Sequence, residues 1–296
     1  MGFGFTHHAG IQAQVRAIAV EQIAEALAAC RGDDDLDKVV HGLRRRCKRL
    51  RGLMRLIEPH FKLAKREDQC FRDAARCLSG TRDAAVMVET FADLLAAEGQ
   101  RDGGGRFDPD RGAVLAQWLA GRVDQKQTEG DRAALLAPFV ALFEAAGKRA
   151  RRWSLSGQGF AQIGDGLQDS YRAMRDELRR AEAEPTAAVL HDWRKHTKYH
   201  WHHVSLLQAA APDLLRPRKE SLDRLGEMLG DHHNLAVLDD LLAGQDDIKG
   251  VRQAIAARQD VLTAGALTLG RQLAAEKPVA LRDRFEHYWH LLPGKA

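Results

Sequence analysis

His41-Gly42-Leu43-Arg44-Arg45-Arg46-Cys47-Lys48-Arg49-Leu50-Arg51-Gly52-Leu53-Met54-Arg55 places seven Lys/Arg in fifteen residues and contains no acid. With 3.6 residues per turn, His41, Arg44, Lys48, Arg51 and Arg55 fall on one helical stripe. Leu43, Cys47, Leu50, Met54 and Ile57 form a second, apolar stripe at the same period. The spacing therefore predicts a helix that buries one face and presents a row of cations on another. Like charges at i,i+4 each disfavour such a helix by a few tenths of a kcal/mol, and a polyanion would offset that repulsion.

The basic character is local. From Lys38 to Arg76 the chain holds thirteen Lys/Arg against four Asp/Glu, although the formal net charge of all 296 residues is only +4. A local excess points to a site, whereas a uniform one points to solubility. No apolar run approaches the roughly 18 to 20 residues of a membrane span, so a soluble, cytoplasmic protein is expected. Cys30, Cys47, Cys70 and Cys77 contain no C-x-x-C pair and read as reduced core residues.

Working outward, nearly every segment has helical periodicity and strand signals are almost absent. Helices are expected from Ile11 to Cys30, from a cap at Asp35 to Glu58, from His60 to Leu78, and from Arg82 to Ala97. The Gly-rich loop Gly99 to Pro109 follows, then helices near Arg111 to Gln125 and Arg132 to Trp153. The stretch Ser154 to Gly166 is the expected boundary between two halves, 1–153 and 154–296. Helices resume at Leu167 to Ala183, Thr186 to Ala210, Pro217 to Leu229, Leu235 to Leu242, Ile248 to Glu276 and Pro278 to Leu291.

The halves resemble one another. A shift of 150 lays His41 on His191, Arg44 on Arg194, Arg45 on Lys195, Lys48 on Lys198 and Ile57 on Leu207. A shift of 151 lays Leu78-Ser-Gly-Thr-Arg-Asp-Ala-Ala-Val86 on Leu229-Gly-Asp-His-His-Asn-Leu-Ala-Val237, pairing Arg82 with His233. Two correspondences in the same order imply a duplicated helical unit about a pseudo-twofold axis. The second stripe is then His191, Arg194, Lys198 and His202.

The double His-x-x-Arg-x-x-x-Lys, each copy followed by its Leu-[Gly/Ser] segment, resembles the CHAD family, the conserved histidine α-helical domain. The resemblance covers almost the whole chain and includes Tyr171-Arg172-x-x-Arg175. It implies an all-α fold of duplicated four-helix bundles around a basic central groove or pore that binds inorganic polyphosphate. Some members of the family, the phosins, sit on polyphosphate granules. Others carry a triphosphate-tunnel domain, whose Glu-x-Glu-x-Lys signature is missing here, so the chain resembles a stand-alone CHAD protein.

The expected polyphosphate contacts are His41, Arg44, Arg45, Lys48, Arg51, Arg55, His191, Arg194, Lys195, Lys198 and His202. Arg72, Arg82, Arg172, Arg175 and His233 join them from neighbouring helices. Arginine can fork onto phosphate oxygens, and lysine acts as a point charge. Trp201 replaces Arg51 and Ser205 replaces Arg55 in the second copy, so that half is expected to bind more weakly and, through His200, His203 and His232 as well, more pH-dependently. Lys62, Lys65 and Arg66 read as solvated.

Three rivals are weaker. His196/His200 and His287/His290 have metal-ligand spacing, but lack a third ligand and sit among cations. Nucleic-acid recognition lacks interleaved aromatics and any helix-turn-helix or zinc-finger spacing. Polyphosphate turnover lacks a G-x-x-x-x-G-K-[ST] loop and clustered acids. A non-enzymatic binder with no metal and no cofactor is the expectation, associated with polyphosphate granules or polyphosphate-metabolising enzymes.

Overall fold

The computed structural model describes residues 3–78, 82–101, 104–124 and 132–294. Among these the secondary structure is helical throughout, as eleven α-helices and two short 3-10 turns. α1 (Ile11–Arg31) precedes α2 (Leu36–Ile57), whose N-cap Asp35 accepts from the Lys38 amide at 3.1 Å. Every member of the predicted apolar stripe of α2, Leu43, Cys47, Leu50, Met54 and Ile57, is 0–1% exposed. Burial of the larger of these contributes about 1.5–3 kcal/mol each, which outweighs the like-charge repulsion along the other face.

Pro59 ends α2 as expected, but the chain then makes the 3-10 turn Glu58–His60, and α3 (Ala64–Cys77) begins four residues later than the pattern suggested. α4 (Arg82–Gly99), α5 (Pro109–Asp124) and α6 (Arg132–Ala150) complete the first half. α2 packs between α1 and α3, and α6 closes the group against both.

The second half holds α7 (Ala161–Ala183), α8 (Ala187–Leu207), the 3-10 turn Gln208–Ala210, α9 (Pro212–Leu242), α10 (Lys249–Leu273) and α11 (Pro278–Trp289). α8 packs between α7 and α9, α10 lies on α9, and α11 covers α7. α2 and α8 each run straight into a 3-10 turn, 150 residues apart.

Two expectations fail here. The stretch Ser154 to Gly166 is shorter as a connection than predicted, because α7 already begins at Ala161. Its Gly166 is a packing residue: a Cβ there would lie 2.0 Å from the Leu56 carbonyl oxygen, so only glycine lets α7 touch the end of α2. The helices expected at Pro217 to Leu229 and Leu235 to Leu242 are one helix, α9. Gly230 does not break it, since Leu229, His232 and Leu235 continue the buried face.

One apolar core runs through α1–α3 and α6–α11. A second core joins Met87, Phe91, Leu94, Leu115 and Leu119 of α4 and α5 to Leu235, Leu238 and Leu242 of α9 and Val251 and Ile255 of α10. The α4–α5 hairpin thus leaves the first group and packs on the far end of α9 and the start of α10. Among the described residues no helix is long and apolar enough to cross a membrane.

Candidate functional site

The two basic stripes are carried by α2 and α8, which cross directly. Gly52 meets His202 at the crossing, where a Cβ on Gly52 would lie 2.6 Å from the His202 Cβ. Next to it, His203 Nε2 donates to the Gly52 carbonyl at 3.0 Å. Lys48 on α2 and Lys198 on α8 both disfavour the charged form of His202 at this crossing. Phe3 packs edge-on against the His202 ring, and the Arg49 guanidinium lies over Phe3.

Along α2, His41, Arg45 and Lys48 are exposed. Arg44 is half-buried and donates to the Leu78 carbonyl at 3.2 Å. Its counterpart Arg194 does the same on the other side, donating to the Gly226 carbonyl at 3.2 Å. Arg51, Arg55 and Arg72 gather around Asp68, which is 4% exposed. Asp68 accepts from Arg51 Nε at 2.9 Å and from Arg72 at 3.0 Å, and lies 3.8 Å from Arg55. Arg51 also donates to the Tyr199 hydroxyl at 2.8 Å, and Arg55 to Glu58 at 2.7 Å.

Along α8, His191 is exposed and its ring lies 4.4 Å from that of His233 on α9. Lys195 pairs with Asp192, and Lys198 with Asp223 at 2.8 Å while lying over the Trp201 ring. Arg172 is exposed and paired with Asp169, and Arg175 lies over Tyr171. His202 is buried in the helix crossing. The side chain of Arg82 lies outside the described residues.

The acids absent from the 41–55 stretch are therefore supplied by other elements: Asp68 and Glu58 for its arginines, Glu25 of α1 for Arg46. Sequence reading missed Asp68, although a signal existed. Glu67 and Asp68 fall on the same helical face as Ala64, Phe71 and Ala74, and an acid on a buried face requires a cationic partner. It also missed Gly226 and Gly230, where a Cβ would lie 2.6 Å from Lys198 Cε and 3.0 Å from Arg194 Nε; these glycines seat the two cationic side chains against α9.

Two clefts flank Arg55. One, about 240 Å³, is lined by Arg55, Lys65, Asp68, Gln69 and Arg72. The other, about 490 Å³, is lined by Arg55, Asp169, Lys195, His196 and Tyr199 among others. Lys65, which reads as solvated in the sequence, shares the first cleft with the arginines.

Burial disfavours the charged form of the histidines on α8 and α9. Burial pushes His200 and His202 well below the usual imidazole range, with neighbouring cations adding to the effect. Burial likewise takes His203 down to about 4, against the pull of its bond to Gly52. His191 and His233 are lowered by partial burial, by Arg194 and, for His233, by the adjacent His191. Charging within the ordinary histidine range is thus opposed at these positions. The rival metal pair is also separated in role: His200 Nε2 accepts from Arg218 at 3.2 Å, and its ring is fully buried against Tyr171.

No curated protein and no solved structure matches the chain significantly. The CHAD domain family model matches residues 14–243, from within α1 to just beyond α9. That span includes both basic helices, their crossing and the Asp68 cluster, and it covers most of the chain, which belongs to the CHAD family.

Proposed function

We propose that this CHAD protein binds inorganic polyphosphate without turning it over, along the cationic faces of α2 and α8. The family is associated with polyphosphate binding. The observation that carries the reading here is the α2–α8 crossing, where Gly52 lies against His202 and His203 donates to the Gly52 carbonyl, bringing together the two helices that carry the basic stripes. Contact between matching positions 52 and 202 is what a pseudo-twofold axis through the crossing would give, and it supports a duplication of 1–153 as 154–296.

Polyphosphate is a flexible polymer with about one negative charge per unit and only oxygen acceptors. Its recognition calls for ordered cations and no base-reading groups. The carboxylates beside the stripes, Asp68, Glu58 and Asp223, are engaged by Arg or Lys, which suits a binder. Association with polyphosphate granules in the cytoplasm follows from such affinity as part of the same proposal.

Titration calorimetry with long-chain polyphosphate, and competition by duplex and single-stranded DNA at equal phosphate concentration, tests the reading. Expected are saturable binding, little displacement by DNA, and a several-fold loss in the Lys48→Ala/Lys198→Ala double variant. Displacement by DNA as effective as by polyphosphate itself would overturn it.

A further inference from the structure

We propose that Asp68 is a positioning residue for the polyphosphate site, an inference that rests on the binding function proposed above. An acid at the centre of a site for a polyanion is electrostatically adverse, so its presence requires a reason. Asp68 sits on the core face of α3, and both its oxygens are used: Oδ1 accepts from Arg51 Nε, and Oδ2 accepts from Arg72 and faces Arg55. One buried carboxylate thus organises three guanidiniums from two helices.

The arrangement reaches the second half through Arg51, which also donates to Tyr199 of α8, while Arg51 and Arg55 both lie over the Tyr199 ring. A guanidinium has five N–H donors, and the bond to Asp68 uses one each on Arg51 and Arg72. Arg55 and Arg72 line the cleft of about 240 Å³ together with Lys65, so the clustered cations border open space. Without the carboxylate, three long cationic side chains would repel one another and sample many rotamers, which an incoming phosphate chain would have to order.

The rival account makes Asp68 a simple counter-charge, and the two accounts differ in sign. Asp68→Asn keeps the shape and raises the net charge by one. As a counter-charge, its loss tightens polyphosphate binding and steepens the salt dependence. As a positioning residue, its loss weakens binding in spite of the added charge.

Affinity for long-chain polyphosphate would be measured against salt concentration for the parent, Asp68→Asn, Arg51→Gln/Arg72→Gln, and the triple variant, with thermal unfolding as a check on folding. The expected result is binding at least about threefold weaker in Asp68→Asn, and no further weakening when Asp68→Asn is added to the two glutamines. Equal or tighter binding by Asp68→Asn, or a loss that persists in the glutamine background, overturns the positioning role. Should Asp68→Asn not fold, Arg72→Lys preserves charge while losing the guanidinium that donates to Asp68 Oδ2; a several-fold loss is expected, and full affinity overturns the proposal. Absence of binding by the parent overturns the functional reading and this inference with it, whereas parental binding with a contrary variant overturns this inference alone.

Discussion

Gly52 of α2 lies against His202 of α8, in a contact so close that a single methyl group at position 52 would stand 2.6 Å from the His202 Cβ and 2.8 Å from its Cγ. The neighbouring bond from His203 Nε2 to the Gly52 carbonyl fixes the two helices in register. Since the cationic stripes ride on these helices, their separation is set here. Gly52→Ala gains helix propensity, worth up to about 1 kcal/mol, but must push apart two packed backbones. The outcome expected is a net destabilisation of about 1–3 kcal/mol, read from urea unfolding, with weaker polyphosphate binding.

The buried histidines make a prediction about acid. His203 is held down at about 4 in the folded chain, whereas in an unfolded chain it titrates near 6.5. Between those values the unfolded state binds the extra proton, so stability present above about pH 6.5 is lost as the pH falls toward 4. His200 and His202 are lowered by burial too and add to the same slope. The melting temperature is expected to fall steadily over that interval. His203→Gln should lower stability at neutral pH and flatten the slope; an unchanged slope would show that His203 does not titrate with unfolding.

Gly226 separates stability from binding. The atoms nearest a Cβ at this position belong to the far end of the Lys198 side chain, Cε at 2.6 Å and Nζ at 2.9 Å, and that side chain can move. Gly226→Ala should therefore leave the melting temperature unchanged or raise it, because alanine is the better helix former by about 1 kcal/mol. Lys198 would lose its seat against α9 and its bond to Asp223, so polyphosphate affinity is expected to fall several-fold. Lower stability with unchanged affinity would refute the role given to this glycine.

The helical class was legible because the 3.6-residue pattern is strong, and the buried stripe Leu43 to Ile57 lies where periodicity places it. The histidine-bearing helices expected from His41 and His191 are present as α2 and α8. Harder to read was what a helix does when glycine is used for contact: Gly166 and Gly230 look like breaks, yet each lies inside a helix because another residue occupies the space of its missing side chain. The charge balance was hidden for a different reason. Asp68 and Glu25 are distant along the chain from Arg51 and Arg46, as Asp223 is from Lys198, so an acid-free stretch in sequence is not an acid-free surface in space.

Glu67 lies next to Asp68 but does a different job. It is fully buried and receives a forked pair from Arg149 of α6, Nε to Oε1 at 2.7 Å and a terminal nitrogen to Oε2 at 2.9 Å. The bond to Glu67 holds the Arg149 guanidinium above its ordinary pKa. Arg149→Ala leaves a carboxylate buried without its cation, which typically costs about 3–5 kcal/mol, whereas Glu67→Gln removes the charge and retains an amide that can accept one of the two bonds. Chemical denaturation should thus rank Arg149→Ala as the more damaging change by a clear margin. Neither residue belongs to the α2 or α8 stripes, so polyphosphate affinity should survive Glu67→Gln. A large loss of affinity in a well-folded Glu67→Gln chain would extend the binding surface to α6.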